Sequence, residues 1–114
     1  MQNLTNQQFI EKIFDYSNNS EWKFNGDRPA VIDFYADWCG PCKMVAPVLD
    51  KLDGEYENVD FYKVDTEQET QLSQALGITS LPSLLFISTN GDKPKLTQGA
   101  LPEGSLRTII DELS

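Results

Sequence analysis

The sequence predicts an α/β fold: a central mixed β-sheet of four to five strands, flanked on both faces by four helices, with the first edge strand short or absent. Three observations predict it. Apolar, β-rich runs alternate with stretches of helical spacing, the pattern of strands joined by crossover helices. Late in the chain, two strand-like runs at residues 83–88 and 95–98 flank Asn90-Gly91-Asp92, a strong turn signal, and so form a hairpin. The length of 114 residues suits one core and leaves no room for a second, so residues 1–114 read as a single domain.

Each element has its own signal. Thr5-Asn6-Gln7-Gln8 has capping-box form, and Phe9, Ile10, Ile13 and Phe14 then share one helical face, which predicts a helix over residues 6–16. Only a strand stub fits before Thr5. Residues 18–29 form a loop rich in Asn, Ser, Gly and Pro, whose Trp22 and Phe24 are expected to fold back onto the domain. Residues 30–36, AVIDFYA, read as a strand buried on both faces. Helical spacing follows over 40–56, with Pro47 inside it removing one backbone hydrogen bond and kinking the helix, at roughly 3 kcal/mol if uncompensated. A strand over 59–65 comes next. Thr66-Glu67-Gln68-Glu69 then has capping-box form, opening a helix with Leu72, Ala75 and Leu76 as its stripe and Gly77 as its stop. After the hairpin, Leu106, Ile109, Ile110 and Leu113 mark a terminal amphipathic helix.

Charge and composition exclude several functions. Eighteen acidic residues against nine basic give a net charge of −9, which argues against nucleic acid and against anionic membrane surfaces as partners. No apolar stretch reaches the length of a membrane span. The first residues, MQNLTNQQFIEKIF, have neither the basic nor the apolar region of a secretory signal, so a cytoplasmic location is expected. A mature periplasmic or otherwise extracytoplasmic domain carrying a new Met1 would read the same.

The chain has two cysteines, set as Cys39-Gly40-Pro41-Cys42 between Trp38 and Lys43. This pair lies where a strand hands over to a helix, with Cys39 near the helix N-terminus. There, unpaired N–H groups and the helix dipole favour a thiolate, the attacking species in thiol–disulfide exchange. A disulfide across two residues removes almost no chain entropy, so a purely structural staple explains the pair poorly. Zinc fails on ligand count: two cysteines and no histidine fall short of four. Asp33 is the second informative residue. It interrupts a strand expected to be buried on both faces, where desolvation raises a carboxyl pKa toward neutrality.

The stretch VIDFYADWCGPCKMVAP from Val31 to Pro47 resembles the thioredoxin family, in its bacterial type with WCGPCK. Thr79-Ser80-Leu81-Pro82 resembles the family's cis-proline loop, and Gln98-Gly99-Ala100 its facing glycine turn. The resemblance extends over nearly all of the chain from Val31 onward. It implies a thioredoxin fold and a thiol–disulfide oxidoreductase that reduces disulfides of other proteins and is itself re-reduced by a thioredoxin reductase. Cys39 would be the nucleophile and the more exposed thiol; Cys42 would resolve the mixed disulfide. Gly40 would allow a tight turn into the helix, and Pro41 would take an early helical position. Asp33 would act as a proton relay on the Cys42 side, partnered by Lys63, whose spacing of 19 residues to Pro82 fits. Pro82 would be cis, pack against the cysteines and keep metal off them. Trp38, Gly40, Pro41, Ser80, Leu81, Gly99 and Ala100 would form the client-binding surface. Trp38 reads equally as a partly buried aromatic or as a lid. No bound cofactor is implied beyond the redox-active pair. The expected partners are the reductase and disulfide-containing client proteins, for a monomer.

Four features depart from the family pattern: the long loop over residues 18–29, the first strand cut to a stub before Thr5, and the residues at 35 and 98. Tyr35 stands where a tryptophan is common, and Gln98 where an apolar residue is; both are read as tuning partner choice. Two other functions remain open at this point: a binding module of the same fold whose thiols are dispensable, and a disulfide isomerase or oxidase.

Overall fold

Strand β2 (Ala30–Tyr35) has five of its six residues buried, and the rest of the protein assembles around it. Alternation along a strand sends Ala30, Ile32 and Phe34 to one face and Val31, Asp33 and Tyr35 to the other. The first set joins a core with Phe9, Ile13, Phe14 and Leu72; Val31 joins another with Val45, Leu49, Leu52, Leu106 and Ile110. Two cores on opposite faces of one sheet require helices on both sides, as the sequence predicted.

The structure, a computed structural model, describes residues 1–113. Within them the other elements are β1 (Gln2–Asn3), α1 (Asn6–Lys12), α2 (Gly40–Glu55), β3 (Asp60–Asp65), α3 (Thr70–Ala75), β4 (Ser83–Ile87), β5 (Lys95–Gln98) and α4 (Glu103–Asp111). The sheet order is β1-β3-β2-β4-β5. β1 and β2 run parallel to β3, while β2–β4 and β4–β5 are antiparallel. The first edge strand is the expected stub, two residues paired with Tyr62 and Lys63. Trp22 and Phe24 do fold back: Trp22 stacks at a tilt on Phe14, with ring centroids 4.9 Å apart.

Two local expectations need correcting. The first helix stops at Lys12 rather than continuing to residue 16, although the Thr5–Gln8 capping box forms as predicted. Asp15 ends it by accepting hydrogen bonds from the Ser17 backbone and hydroxyl and from the Asn18 amide. Such local side-chain bonds compete with the helical ladder. The Ile13 carbonyl instead accepts from the Asn25 N–H at 2.8 Å, which ties down the far end of the loop.

The second correction concerns Thr66, which caps no helix. Its N–H and its hydroxyl both donate to the Tyr35 carbonyl, at 2.9 and 3.0 Å, closing the ends of β2 and β3 together. Helix α3 therefore begins four residues later, at Thr70, with Glu69 as its N-cap and no side-chain cap bond. Its end is as expected. Gly77 adopts φ +70°, a left-handed turn that glycine takes without a Cβ penalty, and the Ile78 N–H bonds back to the Ser73 carbonyl at 2.9 Å. Helix α2 continues through Pro47 to Glu55.

Candidate active site

At the start of α2, Cys39 is the N-cap, in extended conformation (φ −85°, ψ 109°), and its sulfur accepts the Cys42 backbone N–H at 3.2 Å. Capping satisfies one of the orphan N–H groups of the first turn, and the same donors stabilise negative charge on that sulfur. Pro41, in the first turn, has no N–H to leave unpaired. Cys39 and Cys42 are joined as a disulfide, with Cα atoms 5.3 Å apart.

The cysteines are buried alike, Cys39 at 4% exposure and Cys42 at 3%. Cys39 is thus not the more open of the two in this disulfide form, because both pack in one small cluster with Ala36, Tyr35 and Leu81. What distinguishes them is the cap. Gly40 also differs from expectation. Its φ is not positive, and a Cβ placed on it meets nothing within 4 Å, so the turn into the helix does not require glycine.

Three loops converge here. The Leu81–Pro82 peptide is cis, and half-buried Leu81 packs against the cysteines. The Ser83 hydroxyl donates to the Ser80 carbonyl at 2.6 Å, and the Gly99 N–H donates to the Pro82 carbonyl at 2.8 Å. These bonds brace the cis-proline loop from both sides. Gly99 needs its glycine, at φ +94°. Ser80 and Ala100 are exposed beside them, with Gly40 and Pro41 opposite on α2. Trp38 is 70% exposed rather than partly buried, and its indole N–H donates to the Glu67 carboxylate.

Behind the disulfide lies a cleft of about 170 Å³, lined by Asp33, Tyr35, Ala36, Asp37, Cys42, Lys43, Ala46 and Lys63. Asp33 is 1% exposed, and its Oδ1 has no hydrogen-bond partner. Burial pushes its pKa up to about 7; the Lys63 ammonium opposes that rise and Asp50 adds to it. Lys63 stands directly across from Asp33 in the parallel β2–β3 register. Its ammonium lies 5.9 Å from the centroid of the Tyr35 ring.

A capped sulfur bonded to a second sulfur in the first turn, the latter sharing a cleft with a buried carboxyl, is an arrangement that can perform dithiol–disulfide exchange. Comparison with known proteins places this arrangement. The Thioredoxin family model matches residues 2–112. The chain belongs to the thioredoxin family. It is 54% identical to thioredoxin of Borreliella burgdorferi over 110 residues, covering 96% of this chain and 93% of that protein. It is 37% identical to chloroplastic thioredoxin M5 of Oryza sativa over 88% of this chain, and spans 58% of that longer protein. The crystal structure of chloroplastic thioredoxin z superposes with a TM-score of 0.82 at 27% identity, over 99% of this chain and 93% of that one.

As a thioredoxin, the protein is a thiol–disulfide oxidoreductase and a protein-disulfide reductase working through a redox-active disulfide, with no cofactor needed. The family implies a reductase and disulfide-bearing clients as partners in general. Among the described residues no helix is long and apolar enough to cross a membrane.

Sequence reasoning missed two contacts at this site. The Trp38–Glu67 bond joins residues 29 apart, with α2 and β3 between them, and no local spacing announces it. The Lys63–Tyr35 contact was legible in principle. Lys63 follows Phe61 on the face of its strand that pairs with Asp33 and Tyr35, once the parallel register is assumed.

Proposed function

We propose that Cys39 is the attacking thiolate, Cys42 the resolving thiol and Asp33 the group that takes up the Cys42 proton, with the 114 residues acting as one domain. In the reduced protein, the Cys39 thiolate attacks a client disulfide; one client sulfur leaves as thiolate and a Cys39–client mixed disulfide forms. Cys42 loses its proton toward Asp33 through the shared cleft and attacks the Cys39 sulfur. The second client sulfur leaves, and two electrons have passed to the client while the Cys39–Cys42 disulfide forms. Thioredoxin reductase returns the two electrons. The observation that carries this assignment is the cap: only the Cys39 sulfur accepts a helix N-terminal N–H.

The client would lie as an extended segment across Trp38, Gly40-Pro41, Ser80-Leu81, Gly99 and Ala100. Leu81 would offer its backbone N–H and C=O for a short β-type pairing. The absent side chain of Gly40 has no steric cause within the protein, which fits a client passing close to it. Lys63 would favour the Asp33 carboxylate, and Pro82 would shield the cysteines. The reading is of a cytoplasmic monomer.

Trapping tests the roles. With a disulfide-bonded client, Cys42→Ser should accumulate a mixed disulfide through Cys39, Cys39→Ser should form none, and neither variant should turn over. Trapping by Cys39→Ser instead would reverse the assignment. Full cellular function from the doubly substituted protein, which has no thiol left to reduce a client, would sink the redox reading and leave a binding module.

A further inference from the structure

Lys63 is a lysine in an unusual position. It is half-buried on β3, lines the cleft behind the disulfide, and forms no ion pair with any carboxylate among the described residues. Two groups accompany its ammonium: Asp33, opposite in register, and the Tyr35 ring at 5.9 Å, within the range where an aromatic face attracts a cation. Tyr35 is tied down through its backbone and, at the far end of its ring, through its hydroxyl. The Tyr35 carbonyl accepts both the N–H and the hydroxyl of Thr66, and its hydroxyl donates toward the Asn3 amide oxygen at 3.5 Å. A lysine stem with four rotatable bonds has ample freedom to swing its charge to water, which solvates it better than a partly apolar cleft. Something must offset that escape.

We propose that Tyr35 is a positioning residue: its ring face holds the Lys63 ammonium inside the cleft, so that the lysine charge acts on Asp33 rather than on solvent. The proposal rests on the reading of Asp33 as proton acceptor, and gives position 35 a part in the exchange chemistry as well as in packing. It also gives the aromatic character of this position a physical reason, since tyrosine and tryptophan both present a cation-binding face.

Other charges bear on the same groups. From β2 and the loop after it come Asp33 and Asp37; from β3, Lys63 and Asp65; from α2, Lys43 and Asp50. None is altered by substituting Tyr35, so a change at Asp33 reports on the ring, on Lys63 or on water entering the cleft. A cycle with Lys63 separates these.

The test follows the Asp33 side-chain carboxyl by carbon NMR across pH in the oxidised protein, where the cysteines do not titrate. Tyr35→Leu should raise the Asp33 midpoint by about half a pH unit, since the opposing cation is released. Tyr35→Phe, which keeps the ring and loses the hydroxyl, should leave it in place. In a Lys63→Met background, Tyr35→Leu should add nothing further. An unmoved midpoint in Tyr35→Leu overturns the proposal, as does an equal shift with Lys63 absent, which would assign the effect to solvent access. The underlying reading has its own control, the pH–rate profile of client reduction by Asp33→Asn. An unchanged profile there removes the proton acceptor without touching the Tyr35–Lys63 measurement.

Discussion

The two faces of β2 are built from one six-residue strand and serve opposite ends. On one face, Ala30, Ile32 and Phe34 are fully enclosed by α1, α3 and the loop that carries Trp22 and Phe24. On the other, Val31 joins the core beneath α2 and α4, while Asp33 and Tyr35 break it open toward the cysteines. The first face contributes stability by removing apolar area from water. The second gives up part of that gain for a carboxyl whose ionised form burial disfavours. A strand continuous through the sheet can carry both, since its alternation keeps the two sets of side chains apart.

The contrast is sharpest at adjacent residues. Phe34→Ala should cost about 3–5 kcal/mol by leaving a cavity on the enclosed face, with client reduction per folded molecule preserved. Urea unfolding alongside the rate assay measures both. If the reduction rate fell as far as for Asp33 variants, the two faces would not be independent.

Asp33→Asn should act in the opposite direction on stability. The folded-state pKa of about 7 lies above the ordinary value of 3.8, so the folded protein binds more protons between those limits. Stability therefore declines as pH rises through that window, and the penalty is fully present above it, at roughly 4 kcal/mol. Asn removes the charge but leaves a buried amide with imperfect partners, so the net gain at pH 8 should be about 2–3 kcal/mol, vanishing toward pH 4. Reduction should slow at the same time. Unfolding curves at pH 5 and 8 decide the matter; a gain independent of pH would mean that Asp33 is ordinary packing.

A smaller effect lies at the rim. Glu67→Ala frees the exposed Trp38 indole N–H, and the fold should lose less than about 1 kcal/mol. Because Trp38 lies on the surface assigned to clients, KM for a protein client should change by about twofold to threefold while kcat stays level. A change confined to kcat would place Trp38 in the chemistry rather than in client contact.

These differences also show what could be read from residue order. The enclosed face was legible because β-branched and aromatic runs with a short span specify a buried strand. Asp33 was legible as an exception to that run, and the cysteine pair as an exception to composition. The short α1 and the late α3 were not. In both places a side chain with capping potential went elsewhere, Asp15 onto its own turn and Thr66 onto the end of β2. Thr66 in particular answers to Tyr35, a residue 31 positions away that local spacing does not place beside it. Gly40 is the reverse case: glycine suggested a backbone demand, and the backbone makes none.

The most direct test of the central claim is the equilibrium reduction potential of the Cys39–Cys42 pair, titrated against dithiothreitol or glutathione. A reductase of this family should give a value near the roughly −270 mV known for thioredoxin, low enough to reduce ordinary protein disulfides. A value about 100 mV less negative would contradict it and place the protein among the isomerases and oxidases.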